Sequence, residues 1–404
     1  MSLWRKIQRA RAEGRLTAEV VQGIQPSLRG LRWVLRDPAA GRIRLQCPEY
    51  VDPPDDPAER ALVARIFEAF RRMKQDQPKA RNAARYLPSA LWQRHLEEAY
   101  GGLGTGWRDG NVAAFHHFLA NFGTWKTYTG IEYSTFIRKN MASPLTRSYL
   151  RNEVFGRQLE IWRWLYDGRK PLSALTYPTF GNQVGAYVDG VFVGANSYFK
   201  EYYGSLLSGI MADRDRPVLG ELGAGYGKLA YFALRDLPRF CFVDFDLPET
   251  LCLAAYYLMK VWPEKKALLY GEADYGPGRH REYDLIFMPA YEIEKIGSDS
   301  VDLFINHTSL GEMTKEAVEN YLAYVADATR YFFHLNHDIT PNHYGAGARG
   351  YLGHEYPLPP GKFKQLFRYP DIGHMLFAGG LDFKMDIFIY LYERMGDRSP
   401  GNGN

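Results

Sequence analysis

The run from Pro217 to Leu229, Pro-Val-Leu-Gly-Glu-Leu-Gly-Ala-Gly-Tyr-Gly-Lys-Leu, constrains the fold more than any other stretch. It reads as a short buried strand, a glycine-rich turn and the first turn of a helix. Glu221 stands two residues before the first of three alternating glycines, Gly223, Gly225 and Gly227. Glycines accept backbone angles that other residues resist and let a ligand approach the main chain closely. A turn of this kind at the carboxyl end of the first strand of an α/β sheet is where nucleotide-like ligands bind. The dinucleotide fingerprint needs a glycine at position 228, where this chain has Lys228. The plain alternative is a tight strand-to-helix turn without a ligand, which does not call for three glycines and a carboxylate.

The chain has 404 residues, room for two domains or one elaborated domain. Hydrophobic residues make up 46% and charged residues 24%, the balance of an ordinary globular protein. Aromatic residues reach 15%, which serves core packing first and sugar stacking second. A net charge of +4 is too mild to argue for nucleic acid. No apolar run is long enough to span a bilayer, and Met1 to Lys6 lacks the apolar run of a signal peptide. Cys47, Cys241 and Cys252 have neither metal-ligand spacing nor the even count of a disulfide framework. These features predict a cytoplasmic protein without a transmembrane segment, and they leave a homo-oligomer open.

In chain order, residues 1–45 are basic, with ten Lys and Arg against Glu13, Glu19 and Asp37. This is either a solvated helical face or a docking surface for an anionic partner such as a nucleotide sugar, a lipid-linked glycan or a carrier protein. A Pro-Asp cluster at 52–57 breaks the chain. Leu62, Ile66, Phe67 and Phe70 then share one helical face. From Leu87 to Tyr166 the text is helical and aromatic, and His116 and His117 read as satisfied polar residues of that layer. Tyr187 to Phe192, with Asp189-Gly190 at its centre, predicts a hairpin near 186–193. The expected division is a helical, aromatic-rich region over 1–205 and an α/β domain over 206–404, with the boundary near Leu206 to Arg216.

The second half alternates strand and helix. Strands are expected at 217–222, 240–246, 284–288, 301–306 and 331–335, with helices opening at Lys228, Pro248 and Thr314. Such alternation implies a Rossmann-like, doubly wound, mainly parallel α/β sheet. Met375-Leu376-Phe377 and Asp386 to Leu391 are the expected last strands, one of them antiparallel. In this sheet a ligand lies across the carboxyl ends of the strands. Glu221, Gly223, Gly225 and Gly227 end the first. Asp246 and Leu247 end the second, where an acid reaches ribose hydroxyls; Asp244 shares its side, but Asp246 is last. Ala290 and Tyr291 end the third, where an adenine would lie. Asn306 and His307 end the fourth, and His337 ends the fifth, with Glu312 in the loop after the fourth.

The Glu-x-Gly-x-Gly-x-Gly pattern resembles motif I of class I S-adenosylmethionine-dependent methyltransferases. Their cofactor carries an ammonium and a sulfonium and no pyrophosphate, so a carboxylate beside the turn makes electrostatic sense. Asp246-Leu247-Pro248-Glu249-Thr250-Leu251, Tyr257-Leu258, and Ser309-Leu310-Gly311-Glu312-Met313 with Tyr321 are similar to segments of the sugar O-methyltransferase family of bacterial glycan and antibiotic-sugar gene clusters. The resemblance covers roughly 180–395 and extends loosely to Phe118-Leu119-Ala120-Asn121-Phe122-Gly123. It implies S-adenosylmethionine as cofactor and a sugar hydroxyl as acceptor, on a small molecule or a glycan. Methyl transfer to a hydroxyl needs alignment and a base to take the proton. His307 and His337 are the candidate bases, and Glu312 could orient one or hold sugar hydroxyls. Their spacing matches no metal-ligand pattern. Two readings compete: a nicotinamide-dependent oxidoreductase, against which Lys228 stands, and a non-catalytic, partner-binding subunit, against which the intact glycine turn stands.

Overall fold

A computed structural model describes residues 16–100, 103, 106, 108–125, 134–343, 349–371 and 386–395, with the backbone alone for 16–23 and 99. A small antiparallel sheet joins β1 (Ile43–Gln46), β2 (Gly185–Val188) and β3 (Val191–Val193). β2 and β3 form the expected hairpin, and its two turn residues, Asp189 and Gly190, have φ of 46° and 87°. Both central residues of a type I′ turn need positive φ, and Asp-Gly supplies that at low strain.

The large sheet holds β4 (Val218–Leu222), β5 (Cys241–Asp246), β6 (Ala267–Leu269), β7 (Leu285–Pro289), β8 (Val301–His307), β9 (Thr329–His337), β10 (Phe363–Pro370) and β11 (Ile387–Arg394). Their order is β10-β11-β9-β8-β4-β5-β7-β6. Neighbours run parallel except at β11, which is antiparallel to both β9 and β10. This is the doubly wound α/β sheet that the alternating pattern predicts. The chain runs outward from β4 through β5 to the edge strand β6, returns to β7 and then crosses to β8, so the switch point lies between β4 and β8, where such sheets open a crevice.

Three strands differ from expectation. β1 and β6 are three or four residues long and carry too little pattern to read. β10 is an edge strand with four of its eight positions exposed and none buried, so its alternation is faint. Met375 to Phe377 lie outside the described residues.

Register sorts the sheet into two faces. Leu219, Phe242, Phe287, Ile305 and Leu335 line one, beneath helices Ser197–Met211, Lys228–Leu234 and Pro248–Val261. Val243, Ile286, Phe304 and Phe332 line the other, beneath helix Lys315–Ala328. The N-terminal half contributes to both. Phe67, Phe70 and Met73 of helix Pro57–Asp76 join the first core, and Tyr86 joins the second against Tyr321, ring centroids 5.6 Å apart. A third, smaller core gathers Ile43, Leu150, Trp162, Val188 and Tyr198. Helix Ser197–Met211 runs unbroken through residues 205 and 206.

Candidate active site

The turn after β4 is built by its glycines. Gly223, Gly225 and Gly227 have φ of 81°, 66° and 86°, which a side chain resists. Space restricts two of them as well. A Cβ on Gly223 would lie 2.5 Å from Ser309 Oγ, and one on Gly227 would lie 2.7 Å from Leu258 Cδ1. The Gly223 N–H donates to the Phe245 carbonyl at 2.9 Å, which ties the turn to β5. Lys228 opens the following helix and is buried. Its ammonium donates to Asn196 Oδ1 at 3.0 Å and lies 4.0 Å from the centroid of the Tyr177 ring. The position that breaks the dinucleotide pattern thus belongs to packing between the two halves.

Beneath the turn three carboxyl groups converge. Glu221 and Asp244 are partners in register, and Asp246 lies two residues further along the same face. All three are buried, with relative exposures of 1%, 0% and 8%. Asp246 Oδ1 accepts from the Leu247 N–H at 2.7 Å, but Asp246 Oδ2, Glu221 Oε2 and both oxygens of Asp244 have no hydrogen-bond partner among the described residues. Burial raises the pKa of Glu221 to about 8; the Lys200 ammonium works against this and the Asp246 charge adds to it. Burial likewise raises Asp246 to about 7, against the pull of the Leu247 and Gly225 amides. Asp244 is pushed well above the carboxylate range by burial and by its two acidic neighbours. Unpaired carboxyl oxygens in a protein interior are costly, and a ligand that brings donors or positive charge would satisfy them.

A pocket opens at the switch point beside this cluster. Its empty volume, open mouth included, is about 740 Å³. Gly223, Gly225, Asp246, Leu247, Ala290, His307 and Glu312 line it. The segment from Arg85 to Trp92 covers it from the N-terminal half. Trp92 Nε1 donates to Glu312 Oε2 at 2.8 Å, and Ser89 Oγ donates to the Glu312 carbonyl at 2.8 Å. Burial pushes the Glu312 carboxyl up to about 7, with the Trp92 hydrogen bond and the His337 charge opposing it.

Among the expected site residues, Glu221 and Gly227 support the turn without bordering the pocket. Two others are turned elsewhere. Tyr291 is buried, and its hydroxyl donates to the Met73 carbonyl at 3.2 Å. Asn306 is fully buried and works as a bracket. Its amide donates to the Leu222 carbonyl at 2.9 Å, and its Oδ1 accepts from the Leu310 N–H at 3.1 Å and the Asn336 amide at 3.0 Å. It therefore fixes the end of β8 against β4 and β9 and presents nothing to a ligand, because alternation sends it to the face opposite His307.

The two histidines differ in setting. His307 lines the pocket, and its Nδ1 lies 3.2 Å from Lys200 Nζ. An ammonium can only donate, so the neutral His307 ring carries its proton on Nε2. His337, at the neighbouring strand end, has Nδ1 2.8 Å from Asp386 Oδ2. The carboxylate fixes the opposite tautomer, with the lone pair on Nε2. Lys200, Asp386, Trp92 and Ser89 had no signal in the sequence, since each reaches the site from a distant element.

No family model matches the chain, and no curated protein matches it. Solved structures do. The mitomycin 7-O-methyltransferase MmcR is 14% identical over 66% of this chain and 73% of its own, with a TM-score of 0.32. The magnesium protoporphyrin IX methyltransferase ChlM from Synechocystis, solved with bound SAM, is 12% identical over 49% of this chain and 80% of its own, TM-score 0.32. An O-methyltransferase family protein from Burkholderia thailandensis is 11% identical over 50% of this chain and 58% of its own, TM-score 0.32. The fold stands on strand order and direction, independently of these likenesses.

Proposed function

We propose that this chain is an S-adenosylmethionine-dependent O-methyltransferase that acts on a sugar hydroxyl. One observation carries the reading: buried, unpartnered carboxyl oxygens of Glu221 and Asp246 beside a three-glycine turn at the switch point. S-adenosylmethionine fits that cradle, since its ammonium and ribose hydroxyls are the donors those oxygens lack. Gly223, Gly225, Asp246, Leu247 and Ala290, which line the pocket, would hold it, and Glu221 would support the turn from beneath. When bound, the cofactor supplies a methyl group activated by sulfonium.

The acceptor's needs fall to the rest of the pocket. Glu312 borders the pocket, and its pKa, raised to about 7, suits a general base at neutral pH. The Trp92 N–H holds one of its oxygens. His307, with its proton on Nε2, serves as a donor that orients the acceptor oxygen. The His337–Asp386 pair, outside the pocket lining at the neighbouring strand end, supports a second assignment of the base, because its geometry frees a lone pair on Nε2. Trp92, Tyr86 and Tyr321 offer aromatic faces of the kind sugars stack on, and within the Ser309 to Met313 segment that is similar to the sugar family, Ser309, Glu312 and Met313 line this pocket.

Isothermal titration with S-adenosylhomocysteine, beside Glu221→Gln, tests the cofactor. Binding by the wild type that is lost in the variant supports it; no binding by the wild type overturns it. Methyl transfer to a panel of free sugars, nucleotide sugars and glycans tests the acceptor. Glu312→Gln should lower kcat roughly 10²–10⁴-fold with cofactor affinity unchanged. If His337→Asn does so and Glu312→Gln does not, the base is His337.

A further inference from the structure

The helix Leu16–Val34 has one face that the rest of the described chain covers and one that it does not. Pro26 and Gly30 point inward, and a Cβ at Gly30 would collide with the Leu145 carbonyl. On the same side Arg29 donates to Glu153 at 2.6 Å and Trp33 Nε1 donates to it at 3.0 Å. Glu153 is buried, so these bonds fix the rotation of the helix. The opposite face carries Ile24, Leu28 and Leu31, and Leu35 follows at the helix end, with exposures of 48%, 66%, 62% and 97%. Their spacing of four, three and four residues makes one apolar stripe, about 16 Å long at the helical rise. Arg32, half-exposed, lies 3.7 Å from Glu153 Oε1, and Arg36 flanks the stripe in solvent.

We infer that this stripe docks the protein on an anionic lipid surface. Large aliphatic side chains beside arginines suit a helix lying in the plane of a bilayer interface, its apolar face among acyl chains and its cations at headgroup phosphates. Charge complementarity decides the occupant. Between residues 16 and 36 the lone carboxylate is Glu19, and residues 1–45 hold ten basic residues against three acidic ones. Two copies of the stripe packed together would set arginine against arginine with no acid on this face. An anionic membrane supplies the missing charge and the apolar cover at once. The inference is independent of the methyltransferase reading.

The test is co-sedimentation of the full chain with vesicles of phosphatidylcholine mixed with phosphatidylglycerol, against vesicles of phosphatidylcholine alone. The wild type should partition onto the anionic vesicles at least about tenfold better. Leu28→Glu with Leu31→Glu should lower that partitioning about tenfold or more, and Arg32→Gln with Arg36→Gln should lower it severalfold. All four positions are exposed, and circular dichroism checks that the variants stay folded. Equal partitioning of wild type and Leu28→Glu/Leu31→Glu overturns the inference. So does absence of vesicle binding. A wild-type dimer in sedimentation equilibrium that the leucine variant dissociates, without vesicle binding, assigns the stripe to a second copy instead.

Discussion

Gly223 shows at the scale of one residue why this turn needs glycine. Its φ of 81° is costly for any side chain, and Ser309 already fills the space a Cβ would take. Gly223→Ala should therefore distort the pocket floor at a cost of about 1–2 kcal/mol from the backbone angle alone. On the proposed reading its affinity for S-adenosylhomocysteine falls about tenfold or more, since 1.4 kcal/mol is a factor of ten. Gly41→Ala is the control, because no atom lies within 4 Å of its added Cβ. Titration of both variants decides: an unchanged affinity in Gly223→Ala would show that the turn tolerates a side chain and does not shape a ligand site. The glycines and the acid were legible in sequence because their demand is local. The pairing of Lys200 with His307 was not, because it joins positions 107 residues apart.

Between elements, one buried carboxylate fastens the N-terminal half to the sheet. Helix Pro57–Asp76 starts at Asp56, whose side chain accepts from the Ala58 N–H. Three residues into the helix, Glu59 accepts from Tyr256 at 2.6 Å and Lys260 at 2.5 Å, both on helix Pro248–Val261, and lies 3.2 Å from His116. Burial raises its pKa, but the bonds from Lys260, Tyr256 and His116 outweigh that and hold it below the usual range. His116, read from sequence as a satisfied helical-layer residue, has this role. Glu59→Ala would leave the Lys260 ammonium mostly buried without its partner, at roughly 3 kcal/mol. Urea denaturation measures it; a loss under about 1 kcal/mol would place the pair with weak surface bridges.

For the whole molecule, the carboxyl cluster links stability to pH. Glu221 shifts from 4.5 to about 8 and Asp246 from 3.8 to about 7, so the folded chain keeps protons that the unfolded chain has lost. Stability then falls as pH rises. Their contribution is fully present below about pH 4 and declines through the window up to about 8, and Asp244, held well above the carboxylate range, carries the decline further. Thermal denaturation of the ligand-free protein should show this decline, and Glu221→Gln should make it shallower. A midpoint that rises steadily from pH 5 to 8 would refute the protonated cluster. On the proposed reading, S-adenosylhomocysteine at a hundredfold excess over its Kd adds about 2.7 kcal/mol.

The sequence by itself determined what depends on neighbours along the chain. The glycine turn, the Asp189-Gly190 hairpin, the proline that opens helix Pro248–Val261 and the threonine that caps helix Lys315–Ala328 all answer to local angles and local donors. The central strands were legible because strands buried on both faces are nearly continuous apolar runs. Tertiary structure decided which chemistry meets. Trp92 reaches Glu312 across 220 residues, and His337 meets Asp386 across 49. It also decided that Asn306 braces the sheet while His307, one residue on, faces the pocket. Those outcomes rest on which elements lie side by side and in what register, and burial of whole faces sets that, beyond the reach of any local stretch of residues.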